Sequence, residues 1–304
     1  MKKIFIILII LFSFGIVYSE ENSNNDSAES AEMIYAKGMN QYFSYKEVNK
    51  VQAYNDFCEA ADKNYVPAIM RKGICVFFGN GVKKDLEKGI KIIDSVFTDL
   101  VKEADTDINA MYELGNAYML GIGVKSNKYE GFRYILKGAN KGNLIAMETV
   151  AKCLSAGIGC EVNVPHSVEW LNKAEKLGSL DAKYNLGVFY INGIGVKKDK
   201  EKGLSMLEEA CKKGNMDACL FLGVIYLKTD EKKAVEYFKV AAEGEHPRAM
   251  YYYGRCLLDG IGCEKNEPEG SVMIIKSAGL GDELAIDMLT DEKEKEAEEQ
   301  KKIK

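Results

Sequence analysis

Histidine, tryptophan and proline are scarce in this chain of 304 residues, which has two, one and four of them. The histidines, His166 and His246, lie 80 positions apart, and the chain has neither an H-E-x-x-H motif nor a paired C-x-x-C motif. Zinc chemistry needs such clusters of ligands, so we expect no metal site. The G-x-S-x-G motif of many serine hydrolases is also missing. We therefore expect no catalytic residues and no cofactor.

A surplus of positive charge is missing as well. The chain has 41 basic and 46 acidic side chains, a net charge of −5. Removing residues 1–19, which contain two lysines and no acid, changes the net charge to −7. Nucleic acids and anionic membranes both require a basic footprint, so the whole-chain charge disfavours them as partners.

Long apolar runs are confined to the N-terminus. Lys2 and Lys3 precede an apolar stretch over 4–18, and Ser19 is followed by two glutamates. This is the pattern of a secretory signal peptide, and the stretch is short for a span of about 20 residues. We expect a signal peptide over 1–19 and a flexible polar leader over 20–32. The protein would then be exported, periplasmic or secreted, without a membrane span. An uncleaved N-terminal anchor is the alternative.

Cysteine, in contrast, is plentiful. All eight cysteines follow the predicted signal peptide. An even number of cysteines in an exported chain predicts disulfides. Buried free thiols in a reducing compartment are the alternative.

Alanines mark an internal repeat. From Ala110 the intervals to the next alanines are 36, 36, 36 and 31 residues, and another follows after 36 more. The series is Ala68, Ala110, Ala146, Ala182, Ala218, Ala249 and Ala285. A period of this length indicates stacked supersecondary units that bury their apolar faces against one another.

Each unit reads as two helices. Five residues after the alanine stands a glycine or alanine, and eight after it usually a large apolar residue, which gives one apolar stripe on a first helix, called A. A Gly-x-Gly-Val/Cys sequence then ends helix A. An Asp or Asn at position seventeen predicts the N-cap of a second helix, called B. Trp170 falls among the bulky residues of helix B, where we expect it in the core.

This pattern closely resembles the Sel-like repeat family, which is related to the tetratricopeptide repeats. The clearest copy is AKYNLGVFYINGIGVKKDKEKGLSMLEEACKKGN, residues 182–215. The resemblance covers roughly residues 33–290 and implies an all-α, right-handed α-solenoid of about seven helical hairpins with a period of 36. It also implies a monomeric scaffold that binds a protein or peptide partner. Residues 291–304 are almost wholly charged and form a predicted cap or tail.

The internal alignment suggests how the cysteines pair. Cys153 with Cys160, and Cys256 with Cys263, occur together at positions seven and fourteen of their units. The C-x7-C spacing of Cys211 and Cys219 resembles that of the cysteine-rich exported members of the family. Cys58 and Cys75 are then left for each other.

The resemblance also raises an enzymatic alternative. Some cysteine-rich exported members look like reported penicillin-binding or β-lactam-hydrolysing proteins. Serine enzymes of that chemistry use S-x-x-K, S-D-N and K-T-G elements, and this chain has none of them. We therefore favour a binding scaffold, with envelope assembly, regulation or host interaction as possible roles.

By analogy with tetratricopeptide repeats, the partner would contact the concave face at positions two, six and nine of helix A. The candidate residues are Tyr112, Asn116, Met119, Glu148, Lys152, Tyr184, Val188, Tyr251 and Arg255. Recurring tyrosines are typical of interface hot spots. The alternative is that position two packs against the preceding helix B.

Overall fold

The computed structural model describes residues 29–291. The predicted signal peptide, most of the leader and residues 292–304 lie outside that range. The described residues form helices joined by short loops, without a strand. None of these helices is both long and apolar enough to cross a bilayer.

The helices fall into two compact units. Of the described residues, the first comprises 29–189 together with 193–198, and the second comprises 190–192 and 199–291. The first unit contains α1 (Ala31–Tyr42), α2 (Glu47–Asp62), α3 (Val66–Phe78), α4 (Leu86–Glu103), α5 (Ile108–Leu120), α6 (Lys128–Asn140), α7 (Leu144–Ala156), α8 (Val164–Lys176) and most of α9 (Leu180–Asn192). The second contains α10 (Lys200–Lys212), α11 (Met216–Tyr226), α12 (Glu231–Glu243), α13 (Pro247–Asp259), α14 (Glu267–Gly279) and a last helical stretch over 283–291.

Within each unit, consecutive helices pack against one another as A–B hairpins, such as α3 with α4 and α13 with α14. All seven alanines of the repeat are fully buried. The structure therefore confirms the predicted all-α solenoid of helix-turn-helix repeats. Helix α4 has 18 residues, whereas most of the others have 13, which accounts for the longer second repeat.

The predicted helix ends are also confirmed. The first glycine of each Gly-x-Gly sequence is the left-handed C-cap of helix A, as at Gly121 with φ of 72°. Each Asp or Asn at position seventeen accepts a hydrogen bond from a backbone N–H in the first turn of helix B, as Asn127 does from Glu130. These caps satisfy polar groups that the helix itself leaves unpaired.

The second glycine of the Gly-x-Gly loop lies against the preceding repeat. A Cβ atom at Gly159 would overlap the carbonyl group of Lys128, in the first turn of α6. A Cβ atom at Gly81 would likewise overlap the carbonyl of Lys50 in α2. Each of these loops thus contacts the previous B helix so closely that a side chain cannot fit between them.

The turn between α11 and α12 is different because it lacks the Gly-x-Gly loop. There, side chains contact the preceding helix α10. The Tyr226 and Tyr237 hydroxyls each lie 3.4 Å from Glu208 Oε1, and Lys233 Nζ lies 3.2 Å from the same atom. The Glu208 carboxylate and its three polar neighbours thus take the place of the contact that a Gly-x-Gly loop makes with the preceding B helix in the other repeats.

The N-cap side chains of the A helices connect neighbouring repeats at the opposite edge. Asn143 accepts from the Ala146 N–H at 2.8 Å and donates to Asn109 Oδ1 at 3.2 Å. His246 caps α13 through Nδ1, and its Nε2 lies 3.2 Å from Asp217 Oδ1. Because Nδ1 accepts a hydrogen bond in this arrangement, the neutral imidazole carries its proton on Nε2.

Candidate functional site

Most of the candidate partner residues of the first unit lie on three consecutive A helices. Asn116 on α5, Lys152 on α7 and Val188 on α9 share position six and are half-buried or exposed. Glu148 and Tyr184 share position two on α7 and α9 and are half-buried. Met119 follows at position nine of α5 and is also half-buried. These six residues, Asn116, Met119, Glu148, Lys152, Tyr184 and Val188, are called the A-face below.

Tyr112 does not belong to this surface because it is buried. Its ring lies 5.8 Å from the guanidinium of Arg71 on the preceding A helix. Burial raises the pKa of its hydroxyl, and the charge of Arg71 and the side chains of Asn116 and of Thr149 on the following A helix oppose that rise. At this repeat, position two therefore packs between A helices, so Tyr112 is not available to a partner as the sequence predicted.

A buried ion pair lies beside Tyr112, and sequence reasoning missed it. Arg71 on α3 contacts Glu113 on α5, with Nε and Nη2 at 2.8 and 2.7 Å from Glu113 Oε1. Tyr35 on α1 donates to the same oxygen at 2.5 Å. The second carboxylate oxygen of Glu113 has no hydrogen-bond partner among the described residues. Three successive A helices are thus joined through one carboxylate.

The environment of this pair is apolar and aromatic. The Arg71 guanidinium also lies 5.0 Å from the centre of the Tyr42 ring. Burial alone would lower the pKa of Arg71, but the carboxylate of Glu113 and the neighbouring tyrosines Tyr35, Tyr112 and Tyr42 together raise that pKa well above its usual value. The signal in the sequence was that Arg71 and Glu113 stand at the same position, three residues after the repeat alanine, in adjacent repeats.

Glu148 on the A-face has a strongly shifted pKa. Its Oε1 accepts from the Ser179 hydroxyl at 2.5 Å, and Ser179 also caps α9. Burial raises the pKa of Glu148 to about 7; the hydrogen bond from Ser179 opposes the rise, and the charge of Asp181 adds to it. Glu148 therefore changes charge near neutral pH on the surface proposed to meet a partner.

The second unit contributes Tyr251 and Arg255 on α13. Both are half-buried, and the Arg255 guanidinium forms an ion pair with Asp259 at 2.9 Å. Tyr251 packs edge-on against Tyr252, with ring centres 5.5 Å apart. Because the arginine is already paired with a residue one turn away, a partner would have to compete with Asp259 for it.

One predicted disulfide is present. Cys211 at the end of α10 is bonded to Cys219 in α11. The other six cysteines, Cys58, Cys75, Cys153, Cys160, Cys256 and Cys263, are free thiols in the structure. Cys263 Sγ lies 3.5 Å from the carbonyl oxygen of Cys256, its predicted partner. The three remaining pairings stay predictions.

Burial controls the reactivity of these thiols. It raises the pKa of Cys153 and that of Cys256 to about 11 each, and that of Cys75 to about 12. In each case the charge of the predicted partner cysteine adds to the rise. Because the thiolate is the nucleophile, none of the three is activated for chemistry.

Within residues 29–291, no three His, Cys, Asp or Glu side chains form a group that could hold a metal ion. The two histidines have separate surroundings. His166 lies near Glu169 and Trp170 on its own helix, whereas His246 caps α13. The described residues form a series of A helices that present half-buried and exposed side chains at the same positions of successive repeats. Such an arrangement is that of a repeat scaffold.

The chain belongs to the Sel1 repeat family. The family model, described as Sel1 repeat, matches residues 67–92, 108–143, 145–179, 180–215, 217–246 and 247–279. These segments begin near the A helices from α3 onward. The first hairpin, α1 with α2, is outside the matched residues, in agreement with its degenerate sequence.

Solved structures have the same fold. A Sel1 repeat protein from Oxalobacter formigenes matches with a TM-score of 0.57 at 19% identity, covering 94% of this chain and 99% of that one. The immunity protein Pa5087 from Pseudomonas aeruginosa matches with a TM-score of 0.52 at 21% identity, covering 71% of this chain and 81% of that one.

Proposed function

We propose that this Sel1 repeat scaffold is exported and binds a protein or peptide partner through the A-face of its first unit. The A-face residues occupy recurring helix positions on α5, α7 and α9, so a partner lying across these helices would meet side chains at regular intervals. Stacked repeats of this kind expose an extended surface rather than a deep pocket, which favours macromolecular partners.

The observation that carries the proposal is the chemistry of the A-face in its middle repeat. Lys152 is exposed one turn from half-buried Glu148, and Tyr184 stands on the next A helix. A cation, a carboxylate and a tyrosine around one position can bind main-chain groups and side chains of a peptide together. Asn116 adds an amide at the neighbouring repeat.

Export is the second component of the proposal. It is supported by the signal-peptide pattern over 1–19 and by the Cys211–Cys219 disulfide, because disulfides persist mainly in oxidising compartments. Envelope assembly, regulation and host interaction are all roles that an exported scaffold can have.

Site-specific photo-crosslinking tests the A-face. A photoreactive residue at Lys152 should give a discrete adduct with a partner in intact cells, whereas one at Lys239, exposed on α12, should not. The variants Tyr184→Ala and Arg255→Ala, made one at a time, tell the contributions of the two units apart. Because only Tyr184 lies on the A-face, only Tyr184→Ala should weaken the adduct. Equal adducts from Lys152 and Lys239 would contradict the proposal, provided that the helical circular-dichroism signal is unchanged.

A further inference from the structure

The hairpin tips of the first three repeats expose large apolar side chains in one register. Phe43 follows the last residue of α1, while Phe78 and Leu120 are the last residues of α3 and α5. They are 56%, 46% and 62% exposed. The corresponding positions in later repeats are Ala156, Asn192 and Asp259. The apolar series is therefore specific to the N-terminal three repeats.

A second apolar series lies beside the first, in the first turn of each B helix. Val48 in α2, Leu86 in α4 and Tyr129 in α6 are 70%, 49% and 66% exposed. Single exposed apolar residues are ordinary on protein surfaces. Two such residues at each of three successive tips are not a random scatter.

The three tips are neighbours in the first unit. Asn80, in the second tip, donates to the Tyr42 hydroxyl at 2.8 Å, next to Phe43. Gly81 packs on the carbonyl of Lys50 in the first tip, and Gly123 of the third tip packs on Ile93 of α4. Because the loops pack in series along one edge of the stack, their exposed side chains form one row.

Lysines surround this row. Lys46, Lys83, Lys84, Lys125 and Lys128 are all exposed and outnumber the nearby carboxylates Glu47, Asp85, Glu87 and Glu130. One of these carboxylates, Asp85, is engaged in capping α4. By contrast, the tip between α7 and α8, residues 156–166, has no lysine. We define the tip surface as Phe43, Val48, Phe78, Leu86, Leu120 and Tyr129 with these five lysines.

From this combination we infer that the tip surface docks onto an anionic phospholipid membrane. Protein interfaces are depleted in lysine at their centres, whereas lysine beside exposed aromatic and aliphatic groups suits a lipid headgroup region. A row of tips along one edge also fits a plane better than it fits a groove. The net negative charge of the whole chain does not prevent this, since at physiological salt charges beyond about 8 Å are largely screened.

A tryptophan probe tests the docking position in the full chain. In the Leu120→Trp variant, vesicles of phosphatidylglycerol and phosphatidylcholine in equal parts should shift the added emission to the blue, and brominated acyl chains should quench it. The matched control is Ile275→Trp, since Ile275 on α14 is 59% exposed and lies in the second unit. Native Trp170 is buried and gives a constant background. Both variants contain residues 1–19, so any membrane anchoring by that segment would affect the control and the Leu120→Trp variant equally.

Charge variants test the lipid specificity. Each lysine near an anionic surface contributes a factor of roughly five to binding, so Lys83→Glu, Lys84→Glu and Lys125→Glu together should abolish the Leu120→Trp response. The same change at Lys197, Lys198 and Lys200 should leave most of it. An equal response to pure phosphatidylcholine, an equal response from Ile275→Trp, or a response only to an acidic amphipathic peptide would each overturn the inference. Crosslinking from Lys152 does not depend on any of these results.

Discussion

The guanidinium of Arg71 and the carboxylate of Glu113 form a contact that spans 42 residues of sequence and is almost completely closed to water. It joins α3 to α5, and Tyr35 extends it to α1. A charged pair in such a place stabilises the fold only while both partners are present, because either one alone would be a buried, unpaired charge.

Removing one partner of this pair should therefore be costly. We expect Arg71→Met to lower the free energy of unfolding by about 3–5 kcal/mol. Combining it with Glu113→Leu should restore most of the loss, since no buried charge remains. Denaturant titration followed by circular dichroism measures both. The control is Lys91→Ala, which removes an exposed pair with Glu87 and should cost at most about 0.5 kcal/mol. Similar losses for Arg71→Met and Lys91→Ala would contradict this account.

A glycine of a Gly-x-Gly loop and a glycine of the open turn after α6 make a matched pair of variants. Gly159 and Gly142 both have positive φ, 72° and 104°, but only Gly159 is tightly packed, while Gly142 has open space around it. Gly142→Ala should cost about 1 kcal/mol, from backbone conformation alone. Gly159→Ala should cost about 3 kcal/mol or more because the methyl group overlaps the Lys128 carbonyl. Thermal melting compares them, and equal shifts would mean that the loop does not hold the repeats together.

Glu148 should make stability depend on pH near neutrality. Its pKa is about 7 in the folded chain and about 4.3 when unfolded. Between these values the folded state binds more protons, so stability falls as pH rises from about 4.3 to 7. Glu148→Gln keeps a hydrogen-bonding oxygen for Ser179 and removes the charge. We expect it to raise stability at pH 8 by about 1–3 kcal/mol and to leave stability at pH 4 nearly unchanged. A parallel shift at both pH values would refute the assignment.

Thiol counting tests the predicted disulfides and export together. The protein isolated after export should show no reactive thiol in denaturant, and eight after reduction. Each disulfide closes a short loop and should contribute about 2–3 kcal/mol. In the reduced native protein, Cys75, Cys153 and Cys256 should alkylate slowly because burial raises the pKa of each thiol. Eight free thiols before reduction would refute both the four disulfides and the exported location.

The enzymatic alternative has a direct assay. Purified protein incubated with a chromogenic β-lactam should show no turnover above buffer. The physical reason is that the chain has no S-x-x-K, S-D-N or K-T-G element to activate a serine. Sustained hydrolysis that scales with protein concentration would show that the scaffold also carries an active site.

The sequence predicted the repeat well because the repeat depends on local rules. Buried alanine, glycine C-caps and Asp or Asn N-caps each act within one or two turns, so the pattern around Ala182 was sufficient to place α9 and α10. The interval of 42 residues between Ala68 and Ala110 also agrees with the length of α4, a helix that runs on to Glu103.

Contacts between repeats were harder to predict. Tyr112 looked like a ligand-facing tyrosine, yet it is buried because Arg71 and Thr149 approach it from the two adjacent A helices. His246 belongs to none of the motifs sought in the sequence, but it caps α13 and contacts Asp217. Such contacts depend on how neighbouring hairpins are stacked, which a period of 36 residues does not specify.

At the turn between α11 and α12, polar side chains rather than a glycine loop make the contact with the preceding B helix. Elsewhere a glycine loop is wedged against the preceding B helix, and that steric contact does not respond to salt. At this turn, Glu208 contacts Tyr226, Tyr237 and Lys233 at a site open to solvent. Because exposed charges are screened by ions, we expect the contact between Lys233 and Glu208 to weaken as ionic strength rises. Salt would then loosen the packing at this turn, whereas the glycine-loop contacts of the other repeats would not change.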